Sequence, residues 1–340
     1  MPVTTPLAAI FGCAGTELSS DEIDLFRAAN PLGLILFSRN CETPGQVTAL
    51  TSVFRDIIGR QDAPVLIDQE GGRVTRLKPP HWRHPPAAWT FVKLAETKGL
   101  DHALEAIRLN YRLIGVELRA SGINVDCAPV LDLPTEDADP IIGDRALGRD
   151  VALIGQLGQA VCEGLLETGV LPVIKHLPGH GRATVDSHQK LPQVDTSYAE
   201  LLETDFEPFR RLAGQHLGMT AHVIFSHIDA SGPATISGKV IAEVIRGHIG
   251  FDGLLMSDDL SMKALSGGLE ERASASLSAG CDVVLHCSGD MSEMKAVVSG
   301  ALPLSDEAMR RWQRAADRVH PMPAVDVPTD TTRLQELLET

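Results

Sequence analysis

Val170-Leu-Pro-Val-Ile174 runs straight into Lys175-His-Leu-Pro-Gly-His-Gly-Arg-Ala-Thr-Val-Asp-Ser-His188. The first five residues are apolar throughout, as expected of a strand buried on both faces. The fourteen that follow hold three histidines, a lysine, an arginine and an aspartate, broken by two glycines and a proline. A buried strand opening onto a long polar loop is the repeating unit of a parallel α/β sheet, and such loops carry function.

The same pattern recurs along the chain. Apolar runs lie at Leu7 to Phe11, Leu32 to Phe37, Pro64 to Ile67, Ile123 to Cys127, Leu171 to Ile174, Leu217 to Thr220, Gly253 to Met256 and Asp282 to Leu285, eight in all. Helical spacing separates them: Leu104, Ile107, Tyr111, Ile114 and Leu118 repeat on one face, as do Ile154, Leu157, Val161 and Leu165. Ser197 and Glu200 have the spacing of a capping box. Eight short apolar strands alternating with helices predict an α/β fold, a single (β/α)8 TIM-type barrel. An open doubly wound sheet would carry a glycine-rich phosphate turn after an early strand, and Gly12-Cys-Ala-Gly15 matches that poorly. Composition does not shift within residues 1–320, which are expected to be the catalytic barrel. Residues 321–340 form a tail, rich in Pro, Thr and Asp to about Thr332 and expected to wrap the surface before a short helix.

The chain of 340 residues has a formal net charge of −15, which argues against a nucleic-acid partner. No apolar stretch approaches the roughly 18 residues of a membrane span. The N-terminal residues lack the basic and long apolar segments of a secretory signal, and the six scattered cysteines form no CxxC pair. Those features predict a reduced, cytoplasmic setting, with free thiols buried in the apolar runs at Cys13, Cys127 and Cys281.

In barrels of this class the polar residues after each strand converge at one end. The third run leads into Asp68-Gln-Glu-Gly-Gly-Arg-Val-Thr-Arg76, where a carboxylate and arginines suit a hydroxyl-rich ligand or form a local surface pair. The fourth leads into Asp126-Cys-Ala-Pro-Val-Leu-Asp132 and a long loop to Arg145, which points into the site or into solvent. The fifth delivers Lys175 and His176 at the strand exit and an Asp186-x-His188 pair further along. Such an aspartate can fix the tautomer of the ring and raise its basicity. The sixth supplies His222, a core or supporting residue on the plainest reading. The seventh ends in Ser257-Asp258-Asp259-Leu-Ser-Met262; neighbouring strand residues face opposite ways, so one aspartate points at a ligand while the other caps or bonds to backbone. Periodicity does not distinguish them. Three histidines raise the possibility of a metal, but zinc sites prefer tighter spacings, and neither a metal nor a cofactor is expected.

Taken together, Lys175-His-Leu-Pro-Gly-His-Gly181 with Asp186-Ser-His188, Asp68-Gln-Glu-Gly-Gly-Arg-Val-Thr-Arg76, Ser257-Asp-Asp-Leu-Ser-Met262 and Gly33-Leu-Ile-Leu-Phe-Ser-Arg-Asn40 resemble glycoside hydrolase family 3. Within it they look like the bacterial single-domain β-N-acetylglucosaminidases of cell-wall recycling. The similarity runs from about Leu7 to Ser288. One departure is Leu177, where the family pattern has Phe. The resemblance implies Asp258 as nucleophile, His188 as general acid/base and Asp186 as its partner. It implies that Asp68, Arg76, Arg145, Lys175 and His176 hold a non-reducing N-acetylglucosamine.

The implied reaction is retaining hydrolysis of terminal N-acetylglucosamine from peptidoglycan fragments (muropeptides), with a histidine in place of the second carboxyl group. The expected partner is that small carbohydrate substrate, and the expected state is a monomer. Two other readings stay open. One is a β-N-acetylglucosaminide phosphorylase, because a histidine base does not repel phosphate. The other is a metal-dependent barrel hydrolase.

Overall fold

Parallel strands close into a barrel in the computed structural model, which describes residues 5–137, 139–185 and 191–339. The strands are β1 (Leu7–Phe11), β2 (Pro31–Leu36), β3 (Val65–Ile67), β4 (Val125–Asp126), β5 (Leu171–Leu177), β6 (Gln193–Val194), β7 (Leu217–Thr220), β8 (Ile224–Phe225), β9 (Leu254–Asp259) and β10 (Val283–His286). Eight of them form the barrel among the described residues, in the order β1-β10-β9-β7-β5-β4-β3-β2, while β6 and β8 pair separately. The α/β barrel expected from the apolar runs is the fold observed.

Alternation along each strand builds two apolar layers. Ala8, Ile10, Leu32, Ile35, Leu171, Val173, Leu254, Met256, Val283 and Leu285 fill the barrel interior. Ala9, Phe11, Leu34, Leu36, Val65, Ile67 and Ile174 pack outward against the helices. Both faces are therefore apolar, which is why the strands read as unbroken runs. The helix Leu100–Ala120 lies against Val151–Leu166, whose N-terminus is capped by the Asp150 side chain accepting from the Leu153 N–H at 2.8 Å.

One end of the barrel is covered. Trp312, Ala308 and Ala315 of the helix Asp306–Ala316 join the interior cluster. Arg311 of that helix pairs with Asp282 and Arg314 with Asp252, residues just ahead of β10 and β9. That closes the N-terminal ends of the strands and leaves the C-terminal ends for a site.

Two boundaries differ from the sequence reading. β5 continues through Lys175 and His176 to Leu177, and β9 continues to Asp259, because ladder pairing persists where the side chains turn polar. Hydropathy reports the side chains; pairing belongs to the backbone. The C-terminal stretch also departs from expectation. The helix Val327–Glu339 begins inside the segment read as an extended tail, where Asp326 accepts from the Thr329 N–H at 3.2 Å. It docks on Leu100–Ala120 through Arg333–Glu105 at 2.7 Å and through Arg112–Asp330. No helix among the described residues is long and apolar enough to cross a membrane. All six cysteines are free, five of them buried, including Cys13, Cys127 and Cys281.

Candidate active site

At the open end, β3 and β5 hold a buried ion cluster. Lys175, 2% exposed, places Nζ 2.8 Å from Asp68 Oδ1 and 2.7 Å from Glu70 Oε1. Arg145 reaches in from the loop after β4 and donates to both oxygens of Glu70 at 2.8 Å each. Arg76 meets Asp68 Oδ2 at 3.3 Å. Burial alone would raise both carboxyls, but the facing cations overturn it. Lys175 and Arg76 hold Asp68 well below the usual carboxylate range, and Arg145 with Lys175 lowers Glu70 to about 2. Burial likewise opposes the charge on Lys175, yet Asp68 and Glu70 push it above the ordinary lysine value.

The turn carrying these groups is braced from beneath. The Gln69 side chain accepts from the N–H groups of Arg76 and Leu77 at 2.8 and 3.0 Å, closing the loop between the two motif ends. The Gln69 N–H donates to Asp126 Oδ1 at 2.9 Å, and the Tyr111 hydroxyl donates to the Glu70 carbonyl at 2.8 Å. Burial pushes the Asp126 carboxyl well above its usual range.

The histidines of β5 meet a second buried carboxylate. Asp132 Oδ2 lies 2.7 Å from His176 Nδ1, and Oδ1 accepts from the His180 N–H at 2.7 Å. The stretch Pro178 to Gly181 is packed. All four residues are buried, and a Cβ on Gly181 would stand 2.1 Å from the Leu133 carbonyl oxygen. Burial lowers His180 to about 4 against the opposing pull of Asp132, so its ring is neutral near pH 7.

β9 contributes the two aspartates. Asp259 is absorbed in backbone contacts: its Oδ1 accepts from the N–H groups of Ser261 at 3.0 Å and Cys287 at 3.1 Å. The His222 Nε2–H donates to the Asp259 carbonyl at 3.0 Å, while its Nδ1 lies 2.7 Å from the Thr235 hydroxyl oxygen. Burial lowers His222 below the ordinary histidine value. Asp258 Oδ1 accepts from the Asp259 N–H at 2.8 Å.

A cavity of about 190 Å3 brings together Asp68, Arg76, Arg145, Lys175, His176 and Asp258 with Glu70, His180 and Asp259. Six of the eight residues expected at the site therefore line one space. The other two, Asp186 and His188, lie outside the described residues. A larger cavity, about 810 Å3, sits among the outer helices. Its arginines are already matched by carboxylates, as in Arg333–Glu105 and Arg211–Glu207, and no strand end reaches it, so chemistry is better supported at the smaller one. No cluster able to hold a metal occurs among the described residues. Sequence reasoning passed over Glu70, Asp132 and His180 as site groups, although each stands within a motif that it singled out.

Such a space suits a polyhydroxylated ligand. Each carboxylate oxygen can accept more than one hydrogen bond, so Asp68 keeps acceptor capacity beside its two cations. Lys175 commits two of its three N–H groups to carboxylates.

Known proteins are similar to this chain in sequence and fold. Residues 18–322 match the glycosyl hydrolase family 3 N-terminal domain. A protein named β-hexosaminidase from Alkalilimnicola ehrlichii is 37% identical over 338 residues, spanning 91% of this chain and 94% of that protein. Another of that name, from Thiobacillus denitrificans, is 38% identical over 340 residues, spanning 96% and 90%. The structure of NagZ from Neisseria gonorrhoeae in complex with N-trifluoroacetyl-D-glucosamine superposes with a TM-score of 0.88 at 29% identity, covering 99% of this chain and all of that one. A family 3 β-N-acetylglucosaminidase from Paenibacillus gives 0.85 at 29% identity, with 97% of this chain covering 66% of the longer one. With its model matched over most of the chain and such relatives along nearly its full length, the protein belongs to glycoside hydrolase family 3.

Proposed function

We propose that this protein is a β-N-acetylhexosaminidase, a retaining exo-acting glycoside hydrolase that removes non-reducing terminal N-acetylglucosamine from peptidoglycan fragments. The observation that carries the reading is the placement of Asp258 in one cavity with Asp68, Arg76, Arg145, Lys175 and His176. The names of the relatives, and the glucosamine derivative in the Neisseria complex, support the sugar class.

In this reading Asp258 attacks C1 and forms a covalent glycosyl-enzyme, while His188, oriented by Asp186, protonates the leaving oxygen. His188 then takes a proton from water as the intermediate breaks. Asp68 accepts sugar hydroxyls, the third N–H of Lys175 is available to another, and Arg76 and Arg145 keep the carboxylates ionised and aimed. Asp259 is the supporting member of the aspartate pair, because its oxygens are already engaged. The catalytic unit is residues 1–320, acting as a monomer.

The test is turnover of an aryl β-N-acetylglucosaminide, followed by NMR of the first-formed anomer. The expected product is β-N-acetylglucosamine, unchanged by added phosphate. An initial α product overturns retention, a sugar 1-phosphate establishes phosphorolysis, and loss of activity on chelation points to a metal-dependent hydrolase.

A further inference from the structure

We propose that Asp132 is a positioning residue that sets the tautomer of His176, so that the ring presents Nε2 to the substrate as a hydrogen-bond acceptor. This rests on the reading of the cavity as a sugar site, and it assigns a task to a residue outside the catalytic set above.

The backbone makes the meeting possible. β4 is two residues long, yet the chain after it stays beside β5: the Lys175 N–H donates to the Pro129 carbonyl at 3.1 Å and the Leu131 N–H to the Lys175 carbonyl at 2.8 Å. That register carries Asp132 to the level of His176. Its carboxylate is fully buried and spends both oxygens on one short turn. Oδ2 faces His176 Nδ1 at 2.7 Å; Oδ1 accepts from the N–H groups of His176 at 3.3 Å and His180 at 2.7 Å.

An ionised carboxylate only accepts hydrogen bonds, so a contact of this length requires the proton on Nδ1. Burial works against the charge on Asp132, but the His176 and His180 groups around it hold the carboxyl below its usual range. In the neutral ring the other nitrogen, Nε2, then carries a lone pair. His176 lines the cavity, so that lone pair is available to a hydroxyl of the bound sugar. The opposite tautomer would offer a second donor there and leave the proton of a hydroxyl that accepts from Lys175 or an arginine without this acceptor. The same division of labour, one ring nitrogen tied to a carboxylate and the other working, is general for functional histidines.

Asp132→Asn tests it. The carboxamide Oδ1 can keep the backbone N–H groups while Nδ2 donates to His176 Nδ1, which forces the ring proton onto Nε2. Long-range 1H–15N spectra of histidine-labelled protein at mildly alkaline pH, assigned with His176→Ala, are expected to show an Nδ1–H ring in the unaltered protein and an Nε2–H ring in the variant. KM for the aryl β-N-acetylglucosaminide is expected to rise about tenfold, the worth of one hydrogen bond, with kcat less affected. That rise should vanish in a His176→Ala background. An Nε2–H or doubly protonated His176 in the unaltered protein overturns the proposal, as does an equal KM rise in both backgrounds. Should Asp132→Asn not fold, the spectrum of the unaltered protein alone decides the tautomer. Failure of the unaltered protein to turn over the glycoside would overturn the functional reading instead, and the tautomer is read without activity.

Discussion

Arg145 lays its guanidinium against Glu70 in a two-point contact, Nε 2.8 Å from Oε2 and an Nη nitrogen 2.8 Å from Oε1. Lys175 Nζ stands 2.7 Å from that same Oε1, so one carboxylate, 4% exposed, bridges two cations, one from β5 and one from the loop after β4. Removing the carboxylate leaves both cations buried without their shared partner. Glu70→Gln is therefore expected to cost about 3–5 kcal/mol in urea unfolding. Glu70→Gln combined with Arg145→Met should cost less than the sum of the single changes. Strict additivity would show that the pair is not coupled.

Acid stability should fall in two windows. His180, lowered to about 4, stays neutral in the folded protein while the unfolded chain takes up a proton near the ordinary histidine value, about 6.5. Its contribution is complete above that value and is lost as pH falls towards 4. Glu70, lowered to about 2, has its contribution complete above the ordinary glutamate value, about 4.3, and loses it as pH falls towards 2. Unfolding free energies measured across pH should show His180→Asn flattening the upper window and Glu70→Gln the lower one.

Asp258→Asn keeps the size of the side chain and its capacity to accept from the Asp259 N–H, while removing the carboxylate proposed as nucleophile. Turnover of the aryl glycoside should drop by about a thousandfold or more, roughly 4 kcal/mol of transition-state stabilisation, with little change in Tm. Retention of substantial activity would shift the nucleophile to another carboxylate.

Gly181→Ala puts a methyl group 2.1 Å from the Leu133 carbonyl oxygen and 2.7 Å from its backbone nitrogen. Backbone on that side has to move, at a cost of about 1–3 kcal/mol. A lowered Tm together with weaker sugar binding is expected, because the turn it displaces is tied to His176 through Asp132. A variant with unchanged Tm would mean that the turn yields freely, as a hinge does.

The barrel was legible because its strands are buried on both faces, so that each one appears as an apolar run among contiguous residues. Val170 to Ile174 needs no partner to be read that way. The residue types at the strand ends were legible too: Asp68, Lys175, His176 and Asp258 stand where the runs give out, and barrel geometry gathers them. Glu70 and Asp132 were not legible as site groups. Both were in view, but their work depends on partners distant in the chain, Arg145 at a separation of 75 residues from Glu70 and His176 at 44 from Asp132. Hydropathy also ended β5 at Ile174, because polar side chains hide a ladder that only the neighbouring strand reveals. What the sequence by itself determined is the alternation of buried strand and helix and the chemistry waiting at each exit, since both follow from local order. Only the tertiary structure decided which carboxylate faces which cation, which aspartate of β9 is bound up in its own turn, and which nitrogen of His176 is tied. Those depend on distances across the barrel mouth, and charge interactions of that kind are set by separation and burial in space rather than by spacing along the chain.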